Sequence, residues 1–238
     1  MRVGNPFCFL WLRLRKKDIS VHTELVKIVL VFFAVGLMWL QPLSAATPTR
    51  ALTTEAAELF DGVTRSRDNN DLPFMIIDKR RAHLWVFDRF GRLQGDAPVL
   101  LGLARGDDTA PGIGDKKLSD IRSDERTTPA GRFVAEVGLN ARGEDVVWVD
   151  YDAAVSIHRV LTTNAKEQRA RRLETPTPND NRVSYGCINV PKEFFESVVS
   201  ATVNGGHSVV YVLPESRSLR SVFGKLATVQ SHLTTARR

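Results

Sequence analysis

The sequence predicts a mainly β domain with a small helical component, an α+β arrangement behind an export-type leader. Three observations lead there. Short runs rich in aromatic and β-branched residues recur between residues 74 and 213, the composition that suits a pleated, half-buried surface. Turn-forming clusters separate these runs at hairpin-like intervals. Helix-start chemistry is found at only two places, around Thr53 and at Pro191.

Residues 47–72 read as a lead-in helix and linker. Thr53-Thr54-Glu55 offers a cap followed by a carboxylate in the first turn, and the polar stretch Arg65 to Asn70 follows it. Strands are expected at Phe74 to Asp78, His83 to Asp88 and Pro98 to Leu103. Lys79-Arg80-Arg81 and Arg89-Phe90-Gly91-Arg92 form the turns between them. The basic residues of these turns suit a solvated sheet edge better than a polyanion patch. Residues 104–127 are a long polar loop with Gly106, Gly112 and Gly114, a flap rather than a phosphate loop because no Lys-Ser/Thr pair closes it. Strands resume at Arg132 to Val137, Val146 to Tyr151 and Val155 to His158. Pro191 then opens an amphipathic helix with Phe194, Phe195, Val198 and Val199 on one face. After Gly205-Gly206 a last strand runs from Ser208 to Leu213, and residues 214–238 read as a basic polar tail. The domain proper is thus expected at 73–213.

Residues 1–46 carry the parts of a secretory signal: a basic stretch ending at Lys27, an uncharged run from Ile28 to Leu40, and the small residues Ser44-Ala45-Ala46. The apolar run falls short of the roughly 20 residues that span a bilayer. Cleavage after Ala46 is expected, with an uncut N-terminal anchor as the alternative. Membrane contact is expected only through this segment, if it stays uncut. Its six Lys and Arg against Asp18 and Glu24 account for +4 of the formal +6 charge. What remains is too weakly basic to argue for a nucleic-acid partner.

With Cys8 inside the leader, Cys187 is the only cysteine left. Compartments outside the cytosol oxidise cysteines in pairs, so a lone thiol there is either a small buried hydrophobe or a reactive group. A thiol attacks a carbonyl as the thiolate, and a neighbouring imidazole makes that ion available near neutral pH. His158, at the end of a short strand, is the candidate partner. His83 and His207 sit within strand patterns and are expected to be structural. No paired ligand spacing supports a metal site. Main-chain N–H groups at Tyr185, Gly186 and Cys187 offer donors for an oxyanion, with Gly186 permitting close approach.

In chain order, Thr128-Pro129-Ala130-Gly131-Arg132-Phe133, Ile157-His158 and Ser184-Tyr185-Gly186-Cys187-Ile188-Asn189 resemble the YkuD-type L,D-transpeptidases, which remodel bacterial peptidoglycan. The resemblance covers roughly residues 73–213. It implies a YkuD-like β-sandwich, a periplasmic or cell-envelope location and a cysteine acyl-enzyme with no cofactor and no metal. The partners it implies are peptidoglycan stem peptides, with an amine of a second stem or a lysine of an envelope protein as acceptor. Cys187 would be the nucleophile and His158 the base and then acid, oriented by a main-chain carbonyl. Gly186 and Tyr185 would supply backbone donors, and Ser184, Asn189, Arg159 and Tyr151 would contact substrate. A hydrolase on the same scaffold and a non-catalytic wall-binding module are the alternatives.

Two departures from that family stand out. Tyr185 replaces its usual histidine, and a phenol, with an unperturbed pKa of about 10, is no base near neutrality. The 25 residues 159–183 make a longer span than usual between histidine and serine, with Lys166 to Arg172 as a short basic helix. That span either overhangs the cleft or is a passive surface insertion. Trp148 and Tyr151 are expected in the core or, less simply, lining the groove.

Overall fold

The computed structural model describes residues 50–204 and 206–227; the leader, Cys8 and the last residues of the expected tail lie outside them. Helix α1 (Thr54–Ser66) is capped by Thr53, whose hydroxyl accepts from the Ala56 N–H at 3.3 Å and donates to Asp78 at 2.8 Å. Strands β1 (Phe74–Asp78), β2 (His83–Phe87) and β3 (Leu93–Pro98) form an antiparallel meander, followed by the short β4 (Leu101–Gly102). Residues 104–127 are irregular with three single 3-10 turns, as their composition predicts. Then come β5 (Gly131–Leu139), β6 (Asp145–Asp150), β7 (Val155–Arg159), α2 (Arg169–Glu174), β8 (Arg182–Ser184) and β9 (Ile188–Val190). A helical stretch over 192–203, with a π-helical centre at Phe195–Val199, leads to β10 (His207–Leu213) and α3 (Leu219–Phe223).

Eight strands make one mixed sheet in the order β3-β2-β1-β10-β5-β6-β7-β9, and β4 and β8 pair separately. The sheet nearly closes on itself. Leu100, two residues past β3, exchanges two main-chain hydrogen bonds (2.8 and 2.9 Å) with Asn189 of β9 at the opposite edge. The protein is mainly β with a few helices, as the sequence predicts. Among the described residues no helix is long and apolar enough to cross a membrane.

Both faces of β1, β2 and β10 are buried, which explains their unbroken apolar runs. Side chains alternate across a strand. Met75, Ile77, Leu84, Val86, Val210 and Val212 enter the inner core with β5, β6, β7 and β9. Phe74, Ile76, Trp85, Phe87, Val209 and Tyr211 face the other way. That outer face is covered by Ala56, Leu59 and Val63 of α1 and by Leu219, Phe223 and Ala227. The lead-in helix and the first part of the tail therefore pack on the domain, and its expected limit at 213 is too short. Basic residues mask the apolar spacing Leu219–Phe223 in the sequence.

Two other expectations are corrected. The strand expected at Pro98 to Leu103 is displaced: the chain returns at once after Gly91 as β3, whose Gln94, Gly95 and Asp96 have poor strand propensity but are held by pairing with β2. Lys79, expected at a solvated edge, is fully buried. Its Nζ donates to the Gly106 carbonyl (2.5 Å), Asp107 (2.9 Å) and the Thr128 carbonyl (2.9 Å). Asp107 also accepts from the N–H groups of Glu215, Ser216 and Arg217. Arg182 and Glu215 pair beside it at 2.6 Å, so two buried cations and two buried anions share one site. Arg80 does fit the exposed reading, paired with Glu55 at 2.9 Å. Burial pushes the Asp107 carboxyl up, but donors from Glu215, Lys79 and Ser216 outweigh it and hold it below the usual carboxylate range.

A carboxyl depressed in the folded chain stabilises fully above its ordinary pKa of about 4, and that stabilisation is lost as pH falls through the folded value. Asp107→Asn should therefore flatten the acid limb of stability against pH. It should also lower stability at pH 7 by about 3–5 kcal/mol, because the buried Lys79 loses its nearest carboxylate and keeps only Glu215, at 3.9 Å; urea titrations at pH 3 to 7 measure both. Phe223→Ala should cost about 3 kcal/mol if α3 covers the outer core, whereas a loosely held polar tail would show no change in the urea midpoint.

Candidate active site

Strand β7 delivers His158, and the turn between β8 and β9 delivers Cys187. The parallel pairing of β7 with β9 sets Ile157 opposite Ile188 and His158 opposite Asn189, so the thiol loop lies beside the imidazole. Cys187 and His158 line one cavity of about 290 Å³ with Tyr185, Arg142, Glu167 and Arg169. Cys187 is partly buried and is the free cysteine among the described residues.

The histidine is oriented by main chain. Its Nδ1 lies 2.7 Å from the Arg159 carbonyl, an acceptor, so Nδ1 carries the hydrogen and Nε2 is left for the site. The thiol has the Ala154 carbonyl at 3.4 Å and the Ser156 hydroxyl at 3.8 Å. Burial pushes the Cys187 thiol up, but the hydrogen bond and charge of the His158 imidazole, together with Ser156, more than offset this and bring it below the ordinary thiol range. Ser156 is the donor that sequence reading missed. It is buried, and the signal was alternation: two residues before His158 on a strand, it shares that face.

The nucleophile loop is braced from below. Ser184 Oγ donates to the Cys187 carbonyl at 2.6 Å and accepts from the Gly186 N–H at 3.1 Å. Thr128 Oγ1 accepts from the Gly102 N–H (2.9 Å) and donates to the Gly186 carbonyl (2.8 Å). The Thr-Pro-x-Gly-x-Phe element and the cysteine loop are thus joined through one buried hydroxyl. Gly186 has φ +133°, and a Cβ there would sit 2.9 Å from the Thr127 carbonyl, so the backbone requires glycine. Its expected use as an oxyanion donor is corrected, because its N–H already serves Ser184. The main-chain donors left in the loop are those of Tyr185 and Cys187.

The four expected substrate contacts are placed as follows. Ser184 borders the cavity, but its hydroxyl is engaged as the loop brace. Asn189 is fully buried; its Nδ2 lies 3.3 Å from both His158 Nε2 and the Cys187 carbonyl. Arg159 turns to Asp145 (2.9 Å) and Glu196 (3.1 Å), over the Phe195 ring. It lines a neighbouring cavity of about 370 Å³ that also reaches His158. Tyr151 is exposed and stacked on Trp148 at 4.7 Å; it lines no part of the cysteine cavity and is not core. The Tyr185 ring, where the resembled family has histidine, lies under the Arg126 guanidinium at 3.9 Å and forms a cavity wall.

The 159–183 span borders the cysteine cavity through Leu161, Thr163, Asn164, Glu167 and Arg169. It forms a 3-10 turn at Ala165–Glu167 and then α2, slightly later than the expected Lys166 to Arg172 helix. Arg169 reaches from it to Asn189 Oδ1 at 2.7 Å. His83 is buried and lies 2.7 Å from Asp96, and His207 is exposed and lies 3.4 Å from Glu136; neither lines the cysteine cavity. Among the described residues no group of three or more His, Cys, Asp or Glu is placed to hold a metal.

No family model matches the chain, and no curated protein does. Solved structures that it is similar to include the helical cell shape determining protein Pgp2 from Campylobacter jejuni (16% identity, TM-score 0.41, 61% of this chain and 49% of that one). Others are the catalytic domain of an E. faecium L,D-transpeptidase (17%, 0.32, 60% and 98%) and L,D-transpeptidase 3 from Mycobacterium tuberculosis in complex with a faropenem-derived adduct (14%, 0.34, 60% and 60%). This chain spans about half the length of the Pgp2 structure.

Cys187 should be alkylated by iodoacetamide with a pH midpoint below that of a free thiol. His158→Ala should move the midpoint up, since burial then acts with less opposition; a curve unchanged from wild type would separate the imidazole from the thiol.

Proposed function

We propose that this chain is an exported cysteine acyltransferase, an L,D-transpeptidase acting on peptidoglycan tetrapeptide stems in the periplasm or cell envelope. The observation that supports it is the convergence of a thiol and a carbonyl-oriented imidazole in one cavity, beside the main-chain N–H groups of Tyr185 and Cys187. Residues 1–46 would direct export.

The chemistry follows from those positions. His158 Nε2 takes the Cys187 proton, and the sulfur attacks the amide carbonyl at the L-centre of the stem's third residue. The oxyanion is placed to receive the Tyr185 and Cys187 N–H groups. The imidazolium returns the proton to the departing amine, D-alanine leaves, and a thioester remains on Cys187. An amine of a second stem, or of an envelope protein, then attacks the thioester while His158 accepts its proton. The new amide forms as the C–S bond breaks, and the thiol regains its hydrogen. Water in the acceptor's place would give a carboxypeptidase with the same residues.

Mass spectrometry of the purified protein incubated with disaccharide-tetrapeptide tests this. Cysteine-dependent dimers lacking one D-alanine are expected, and none with Cys187→Ala. Tripeptide alone would replace the transferase with the hydrolase. Turnover retained in Cys187→Ala would remove the thiol from the mechanism. His158→Ala should slow acyl transfer by about two to four orders of magnitude. Tyr185→His should keep or improve the rate, because the ring is a wall and its main-chain N–H remains; complete loss would show that the phenol itself is used.

A further inference from the structure

Arg169 is the member of the 159–183 span whose side chain bonds Asn189, the residue whose NH2 faces both His158 Nε2 and the Cys187 carbonyl, and that bond has a chemical consequence. A guanidinium donates hydrogen bonds and accepts none. At 2.7 Å from Arg169 Nη1, the Asn189 carboxamide must therefore present its oxygen to Arg169. Its NH2 is then forced onto the other side, where it lies 3.3 Å from His158 Nε2. An NH2 can bond Nε2 only while that nitrogen keeps its lone pair, that is, while the imidazole is neutral. Arg169 is itself anchored, with Nε on Glu167 Oε2 at 2.5 Å, and is mostly buried.

We propose that Arg169 is a positioning residue that locks the Asn189 carboxamide with its NH2 on His158 Nε2, and so biases the imidazole towards the neutral base over the imidazolium. This deepens the reading above and rests on it for the use of the base, though the orientation itself is read from the contacts. The His158–Cys187 attraction favours the ion pair, and the Asn189 donor opposes it. The insertion thereby sets what fraction of the resting site holds a neutral imidazole, whose Nε2 the Asn189 NH2 must release before it takes the Cys187 proton.

Other charges face His158. On the thiol side are Cys187, Arg142, Glu167 and Arg169. On the far side Glu144, Asp145 and Glu196 face it together with Arg159 and Lys192. Removing Arg169 deletes a nearby cation as well as the lock, and loss of a cation alone would favour the imidazolium. Asn189 separates the two effects.

The experiment is an NMR titration of the His158 ring in the full chain carrying Cys187→Ala, which removes coupling to the thiol and needs no turnover. The resonance is identified among the five histidines by its loss in His158→Gln. Arg169→Met should raise the His158 midpoint by about one pH unit, as the carboxamide, then held only by the Cys187 carbonyl at 3.3 Å, loosens its NH2 from Nε2. Asn189→Ala alone should raise it too, which keeps the proposal testable if Arg169→Met disturbs the span. In the Asn189→Ala background, Arg169→Met should add little further shift. An unchanged midpoint in either single variant would overturn the proposal. So would a shift from Arg169→Met that persists in full without Asn189, which would assign the effect to charge alone. None of these outcomes depends on whether the chain transfers acyl groups.

Discussion

The Lys79 ammonium, with no exposed surface, holds the three regions that make the site. Its acceptors are the Gly106 carbonyl, the Asp107 carboxylate and the Thr128 carbonyl. The first two pin the irregular loop 104–127 to the end of β1, and Asp107 in turn gathers the N–H groups following β10. The third fixes the backbone of Thr128, whose hydroxyl spans Gly102 and Gly186. A charge removed from water is costly unless every donor is used, and here all three are. The same requirement that makes the cluster sensitive to a missing partner makes the loops around it definite.

The thiol loop is consequently supported by the scaffold more than by its own turn. Its carbonyls are taken by Ser184 and Thr128, and its glycine occupies a backbone region closed to other residues. Such bracing leaves Cys187 little freedom to find its partner, so the partner has to be brought to it. Parallel pairing of β7 with β9 does this, and the Arg159 carbonyl turns the ring. Preorganisation of this kind places donors before any charge develops.

Charge around the imidazole is balanced between two sources. A charged imidazole would stabilise the thiolate, while the NH2 of Asn189 can bond only a neutral ring. The segment that orients the carboxamide is folded largely on its own polar contacts: Arg172 bonds the Glu167 and Asp180 carbonyls at 2.7 Å each, and Leu173 is its buried apolar residue. A surface segment has thus acquired a short, directed link to the centre of the site.

The strands, the long irregular loop, the helix cap at Thr53 and the pair Cys187–His158 were legible in the sequence, because apolar alternation, turn residues and nucleophile chemistry act over a few neighbouring positions. Ser156 was within reach of the same alternation. Contacts between distant segments were not. Lys79 looks like a turn lysine until Asp107 and Thr128, 28 and 49 residues away, surround it. Arg169 looks like one more surface charge until β9 brings Asn189 beneath it. Gln94, Gly95 and Asp96 become a strand because β2 offers open hydrogen bonds, and the basic stretch after Arg217 buries Leu219 and Phe223 because the outer face of the sheet needs cover. Local propensity determined most of the strands, and the sequence itself named the thiol. Pairing register and burial, which depend on the whole chain, decided which polar groups support that thiol and which merely face water.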